Sequence, residues 1–324
     1  MDENKLFVED IQMDTNITTF FMLKSVDIRV GKNGKAFAAL KLGDKTGEID
    51  AKIWNLNEGD ADALSRFVPG DLVKVKASVT EWKGTPQINI ERFRKSNDQD
   101  ILEISDYIKA APEDPEEMYD FIFGTAEAMK DEDLKRVCVK ILSDNREKLM
   151  YYPAASRNHH AEYAGLLYHV KRMLMTGLKV CEVYSELNKD LVAAGVIIHD
   201  ICKLMEIESN EYGVSSGYSA EGQLLGHLVM GVKYVSAIAE KTGIPEEKAL
   251  MLEHMVLSHH YEPEFGSPKK PMFPEAELLH YLDVMDARIY DMDEALNNTV
   301  PGSFSERIWT LENRRIYKPM EDDR

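Results

Sequence analysis

The sequence predicts two domains of different class, a small all-β barrel followed by an all-α helical bundle. Three observations carry that reading. Between residues 18 and 94, five short stretches alternate apolar and polar side chains, the period of strands with one buried face. Beyond residue 101 the apolar residues recur at helical spacing. All nine histidines lie between His159 and His280, so chemistry that needs imidazole belongs to the helical part. At 324 residues the chain is long enough for two separate cores.

The β stretches read TTFFMLKSVDIRV, AFAALKLGD, GEIDAKIWN, DLVKVKASVTEW and PQINIERFR, punctuated by GKNGK, DKTGE, VPGD and KGTP, which are turn sequences. LGDKTGEIDAKIWN resembles the second and third strands of an OB-fold, a five-stranded barrel that binds single-stranded nucleic acids in many proteins. The barrel is assigned to 15–95, after a polar leader at 1–14. Phe37, Trp54 and Trp82 are candidate stacking platforms, interleaved with Lys35, Lys41, Lys52, Lys74, Lys76 and Lys83, because base stacking over a basic groove holds single strands. For Phe37 and Trp54 the barrel interior is the more ordinary place. Trp82, in the turn-like EWKGTP, is the better candidate for an exposed ring. Lysines on one barrel face are also satisfied by solvent alone.

The helical part begins after a polar link at 96–100. Helices are expected near 104–110, from Pro115, and over 131–149, so that 96–152 serves as linker and bridging helices. The bundle proper is assigned to 153–296, with 297–324 as a tail packing on it. Its core stretch, LVAAGVIIHDICKLM at 191–205, has no polar side chain over its first eight residues; a helix apolar all round belongs inside. A small hairpin is expected in SNEYGVSSGYSAEG. Pro245 and Pro274 are expected at first helical positions.

Composition excludes several classes. No apolar run reaches the length of a membrane helix, and the acidic start MDENKLFVED lacks the pattern of a signal peptide. Three unpaired-looking cysteines, Cys138, Cys181 and Cys202, argue against a disulfide framework or thiolate zinc site and point to a reducing, cytoplasmic setting. The net charge of −18 opposes phosphate binding, but it is unevenly placed. Residues 15–95 carry 14 Lys and Arg against 10 Asp and Glu, leaving the barrel mildly basic and the rest strongly acidic.

Within the bundle, His169, His199 with Asp200, His227, His259 with His260, and Asp283 are candidate ligands, each on or at the end of an expected helix. Imidazole and carboxylate on facing helices suit a catalytic transition-metal site. Six or seven ligands exceed the needs of one ion with an open position, whereas two ions bridged by a carboxylate would use them all. Lone histidines on apolar helices are more often hydrogen-bonded core residues, the reading given to His254 and His280. Asp286 is placed beside Asp283 as a supporting or capping group. His159 and His160 are candidates to protonate a leaving group or touch substrate, with surface or capping roles as the alternative.

The order H…HD…H…HH…D resembles the HD-domain phosphohydrolases. More closely, GLLYHV, IIHDICK, EGQLLGHLVMG, LSHHYEPEFGSP and LLHYLDVMDAR, behind an OB-like region, resemble the YhaM-type 3′→5′ exoribonucleases, over nearly the whole chain. The resemblance implies a primary metal site of His169, His199, Asp200 and Asp283, with Asp200 bridging to a second ion held by His227, His259 and His260. It implies that Lys203 contacts the scissile phosphate, and it implies 5′-mononucleotide products. Cys202 stands where these proteins usually have glycine, and either crowds the site or fills a gap. The expected cofactor is a pair of divalent ions, Mn2+ favoured, with Fe2+, Ni2+, Co2+ or Mg2+ as alternatives. The expected partner is single-stranded RNA, with single-stranded DNA kept open, no membrane, and a homo-oligomer not excluded. Two other functions remain: hydrolysis of free nucleotides, or strand binding without catalysis.

Overall fold

The structure, a computed structural model, describes residues 5–31, 34–56, 59, 64–82, 85–97, 99–100, 102–156 and 160–320, with the Trp82 side chain outside the described set. It divides into two compact units, 1–110 and 111–324.

In the first unit β1 (Asn16–Val30), β2 (Ala36–Asp44), β3 (Gly47–Leu56), β4 (Leu72–Trp82) and β5 (Thr85–Lys95) close into a barrel of order β1-β2-β3-β5-β4. Only β3 and β5 run parallel; β1 pairs with β4 through its first half and with β2 through its second. Phe21, Leu23, Leu40, Leu42, Val73, Val75, Val79 and Ile88 fill the interior, the inward residues of the alternation seen in the sequence. The five-stranded barrel expected from DKTGEI is therefore present. From residue 5 onward the stretch assigned as a polar leader is tied down: the Val8 amide donates to Asp44 (2.6 Å), Thr19 donates to the Leu6 carbonyl, and Ile11 is buried. Residues 104–106 form a single 3-10 turn whose Asp106 accepts from Lys5 and Lys45.

Asp100 caps the barrel's last strand by accepting two bonds from Arg94, at 2.6 and 2.8 Å. That hydrogen-bonded guanidinium holds the carboxyl at about 2. A carboxylate depressed on folding stabilises above its unfolded value, near 4, and loses that contribution as pH falls toward 2. Wild type is expected to lose more thermal stability than Arg94→Ala across that window, a difference read by melting both proteins at pH 5 and pH 2.5.

In the second unit α1 (Pro115–Glu127) and α2 (Glu132–Leu149) start on Asp114 and Asp131, whose carboxylates accept from the first free amides, the ordinary N-cap arrangement. α3 (Gly165–Val183) and α4 (Lys189–Ile198) follow. A short α5 (Lys203–Glu206) leads into the expected hairpin, β6 (Ile207–Ser209) and β7 (Ser215–Tyr218). α6 (Ala220–Thr242), α7 (Glu246–Ser258) and α8 (Pro274–Asn297) complete the bundle. Pro274 is at the first helical position, whereas Pro245 is the cap residue one step before α7. α1 and α2 bury Met118, Ile122, Leu134 and Ile141 in the same core as α4.

All eight residues of α4 from Leu191 to Ile198 are buried, each large one contributing roughly 1.5–3 kcal/mol. The helix stops there, and His199 to Cys202 form a turn rather than continuing it. Gly195 lets α7 approach closely: a β-carbon there would lie 2.0 Å from the Met255 methyl. The result brings the ends of α4 and α7, and hence His199 and His259, together. The 297–320 segment carries two isolated bridges, Phe304 with Tyr317 and Ile308 with Arg314, and buries Leu311.

Candidate metal centre

Asp200 lies at the middle of the site, with 1% of its surface exposed. Its Oδ2 is 2.6 Å from Lys203 Nζ, 3.3 Å from His199 Nε2 and 3.9 Å from His169 Nε2. Its Oδ1 faces the other way, 3.4 Å from His227 Nε2 and 3.7 Å from His259 Nε2. Asp283, from α8, brings Oδ1 to 3.4 Å from His169 Nε2. The structure thus gathers all seven expected ligands, with His169, His199 and Asp283 on one side of Asp200 and His227, His259 and His260 on the other.

The five imidazoles are oriented by one device. Each ties down Nδ1: His169 on Asp286 (2.8 Å), His199 on the Val196 carbonyl (2.8 Å), His227 on Glu206 (2.9 Å), His259 on the Val256 carbonyl (2.8 Å) and His260 on the Phe265 carbonyl (2.7 Å). A proton donated from Nδ1 leaves Nε2 with a lone pair, the tautomer a metal requires. Among the described residues His199 Nε2, His227 Nε2, His259 Nε2 and Asp200 Oδ1 are buried with no hydrogen-bond partner. Orphaned polar atoms cost about 1–3 kcal/mol each, and a cation among them removes that cost. Two donors each about 2.1 Å from one ion stand about 3.0–3.4 Å apart at octahedral or tetrahedral angles, close to the separations around Asp200. Two groups, His169 with His199 and Asp200, and His227 with His259 and His260, have donor atoms within 4.8 Å of one another. The donor set fits divalent metal.

Charge agrees. Burial would raise the Asp200 carboxyl, but Lys203 and the histidines hold it well below the usual range. Burial would lower Lys203, and Asp200 with Asp283 holds it raised instead. Burial pushes His259 well below an ordinary histidine, keeping it neutral. His169 goes the other way, up to about 9, because Asp283 and Asp286 outweigh its burial.

A third cluster, His160 with His169 and Asp286, is already closed by hydrogen bonds. Asp286 Oδ2 accepts from His160 Nε2 and His169 Nδ1, both at 2.8 Å, and Oδ1 accepts from Arg172 at 2.7 Å. Asp286 is thereby the supporting group expected. His160 corrects the expectation that it protonates a leaving group or touches substrate. It has no exposed surface, packs 4.0 Å ring to ring from Tyr290, and shares Asp286 as acceptor with His169. His159 lies outside the described residues. His254 accepts from the Met272 amide and His280 donates to the His259 carbonyl, both hydrogen-bonded as expected. Cys202 is fully buried with an ordinary helical backbone, φ −77°, so a side chain fits without strain. Its thiol, pushed up to about 12 by burial, fills space rather than reacting.

Several contributors escaped sequence reasoning. Glu206 accepts from both the His227 ring and its amide, at 2.9 and 3.0 Å. That amide is free because α6 breaks at Gly226, φ 69° and ψ 159°, a region open essentially to glycine alone. An isolated glycine before a histidine in a helical pattern was the available signal. Arg172, three residues after His169, shares its helix face. Glu162, which accepts from Tyr290 at 2.7 Å, had none. Gly226→Ala is expected to cost about 1–3 kcal/mol of stability and to weaken metal binding by turning His227 away, measured by thermal melting and metal titration.

On the barrel, Trp54 is half exposed rather than interior. Its Nε1 donates to Asn89 at 2.9 Å, Phe37 lies 5.2 Å away ring to ring, and Lys52 Nζ sits 4.9 Å over the indole. Neither aromatic belongs to the barrel core, because Trp54 is on the outward side of β3, between buried Ile49 and Ala51 and the strand's end. Lys35 is exposed near the β1–β2 turn. The Trp82 side chain and Lys83 are outside the described residues.

Comparison with known proteins agrees with both units. Residues 22–95 match the OB-fold nucleic acid binding domain family and 166–288 the HD domain family. The chain is 40% identical over 309 residues to the 3′-5′ exoribonuclease YhaM of Geobacillus sp. (strain WCH70), covering 95% of this chain and 94% of that protein. It is 37% identical over 308 residues to the protein of the same name from Bacillus subtilis (strain 168), covering 95% and 96%. With an OB-fold barrel, an HD-domain bundle that gathers histidines and carboxylates, and relatives alike from end to end, this chain belongs to the YhaM family of 3′-5′ exoribonucleases.

Proposed function

We propose that the protein is a metal-dependent 3′→5′ exoribonuclease that shortens single-stranded RNA to 5′-mononucleotides, with single-stranded DNA as a second substrate, in a reducing cytoplasm. The observation that carries the chemistry is Asp200, whose two oxygens face two separate histidine groups. That arrangement supports two divalent ions, Mn2+ favoured over Fe2+, Ni2+, Co2+ or Mg2+. When bound, such ions polarise phosphoryl oxygens and lower the pKa of water. The chain's own part is to hold Asp200 ionised, to keep His199 and His259 in the tautomer that leaves Nε2 free, and to present the protonated Lys203 ammonium, 12% exposed, to phosphoryl oxygen. The three buried free cysteines support the reducing setting. On the barrel, Trp54 and Phe37 stack bases while Lys52 and Lys35 meet phosphates.

The test uses a 5′-labelled RNA of about twenty nucleotides, longer than the roughly 4–16 covered by one OB-fold, with manganese or with chelator. A ladder receding from the 3′ end only with manganese supports the proposal. Cleavage of free nucleotides alone, or metal-independent binding with no cleavage, would replace it with the corresponding alternative. Trp54→Ala is expected to weaken strand binding about 5- to 150-fold, the worth of one base–aromatic stack, raising KM while leaving kcat near wild type.

A further inference from the structure

Cross-strand neighbours in this barrel usually balance charge or separate it: Lys41 is opposite Asp50 on β2 and β3. On β4 and β5 the pattern inverts. Lys76 is directly opposite Arg92, and Lys74 directly opposite Arg94. Like charges facing across a ladder are destabilising, and two such pairs in succession are a local conflict of the kind that marks function. The four positions form a near-rectangle on the two strands, about 4.8 Å across and about 6.7 Å along. With Thr18 and Phe93 they line a groove of about 640 Å³.

Internal carboxylates offset this charge only in part. Asp100 takes both faces of Arg94. Glu91, the extra residue at a bulge in β5, reaches Lys76 only at 3.5 Å with both groups half exposed. Exposed Arg92 has no carboxylate partner among the described residues. Lys74 Nζ lies over the Phe20 ring, 4.9 Å from its centroid. The outward row continues along the same two strands: Asn89 on β5 donates to Thr80 on β4 and accepts from Trp54.

We propose that the outer face of β4 and β5 is a phosphate track for single-stranded nucleic acid, with Lys74, Lys76 and Arg92 as its cations, running through Asn89 to the Trp54 platform. It rests on the reading that this barrel binds strands, and extends that site beyond the aromatic face. A polyanion with regularly repeated phosphates meets a row of closely spaced cations better than the scattered carboxylates of a protein surface.

The experiment measures binding of the full-length protein to single-stranded RNAs of about 4 and about 16 nucleotides, the span of OB-fold sites. Their 3′ linkages are phosphorothioate-protected against hydrolysis, and the titrations are repeated over a range of salt. For Lys76→Gln with Arg92→Gln, the expected result is about tenfold weaker binding of the long strand and a log–log salt slope shallower by about 1.4, two single-strand phosphate contacts. Binding of the short strand should be unchanged, and the thermal midpoint no lower than wild type, since a like-charge pair has been removed. An unchanged slope for the long strand would overturn the track while leaving Trp54-dependent binding intact. Equal loss on both strands would overturn it too, making the cations part of the primary site. Displacement of the long RNA by polyglutamate at equal charge would assign the face to an acidic protein. Failure of wild type to bind either strand would remove the underlying reading of the barrel itself.

Discussion

Asp200→Asn is expected to abolish ladder formation, lowering turnover by about 10³-fold, the upper end of what one misplaced electrostatic group costs. The substitution keeps the shape of the side chain and removes its charge. Both histidine groups then lose the carboxylate that stands between them, and Lys203 Nζ loses a partner at 2.6 Å. Metal stoichiometry is the second readout: by equilibrium dialysis the variant should bind less manganese than wild type at every concentration. Retention of full metal content and of a 3′-receding ladder would refute a bridging role for Asp200. Because Asn is isosteric, a folded variant is expected, and thermal melting checks it.

Asp286→Ala should be nearly as damaging by a different route. No ligand is removed, but His160, His169 and Arg172 lose a common acceptor. Losing one partner of a buried charged pair costs about 3–5 kcal/mol, and loss of a group that orients a metal-binding histidine lowers metal affinity about 10- to 100-fold. The expected signature is a lower thermal midpoint with weaker manganese binding, and partial recovery of activity at high manganese. Asp286→Asn, which can still accept from His169, should recover part of the affinity. Activity lost with metal affinity unchanged would show that Asp286 acts on substrate instead.

Much of this was legible in the sequence because it depends on local pattern. Alternation and turn residues such as DKTGE mark strands, and the run before His199 marks a buried helix, since period and polarity are properties of neighbouring residues. The candidate ligands were equally visible, because imidazoles and carboxylates on apolar helices are conspicuous in order along the chain. Tertiary structure decided how each is used. Trp54 reads as a core residue until the register of β3 turns it outward. His160 reads as an accessible acid until Asp286 and Tyr290 enclose it. Glu206 and Glu162 are ordinary acidic residues until His227 and Tyr290 reach them from other segments. Which atom of a side chain faces which neighbour depends on contacts between residues more than a hundred positions apart, as His160 and Asp286 are. Sequence alone therefore determined the elements and the chemistry available to them; packing decided which nitrogen each histidine presents, because only a folded partner can hold its other nitrogen.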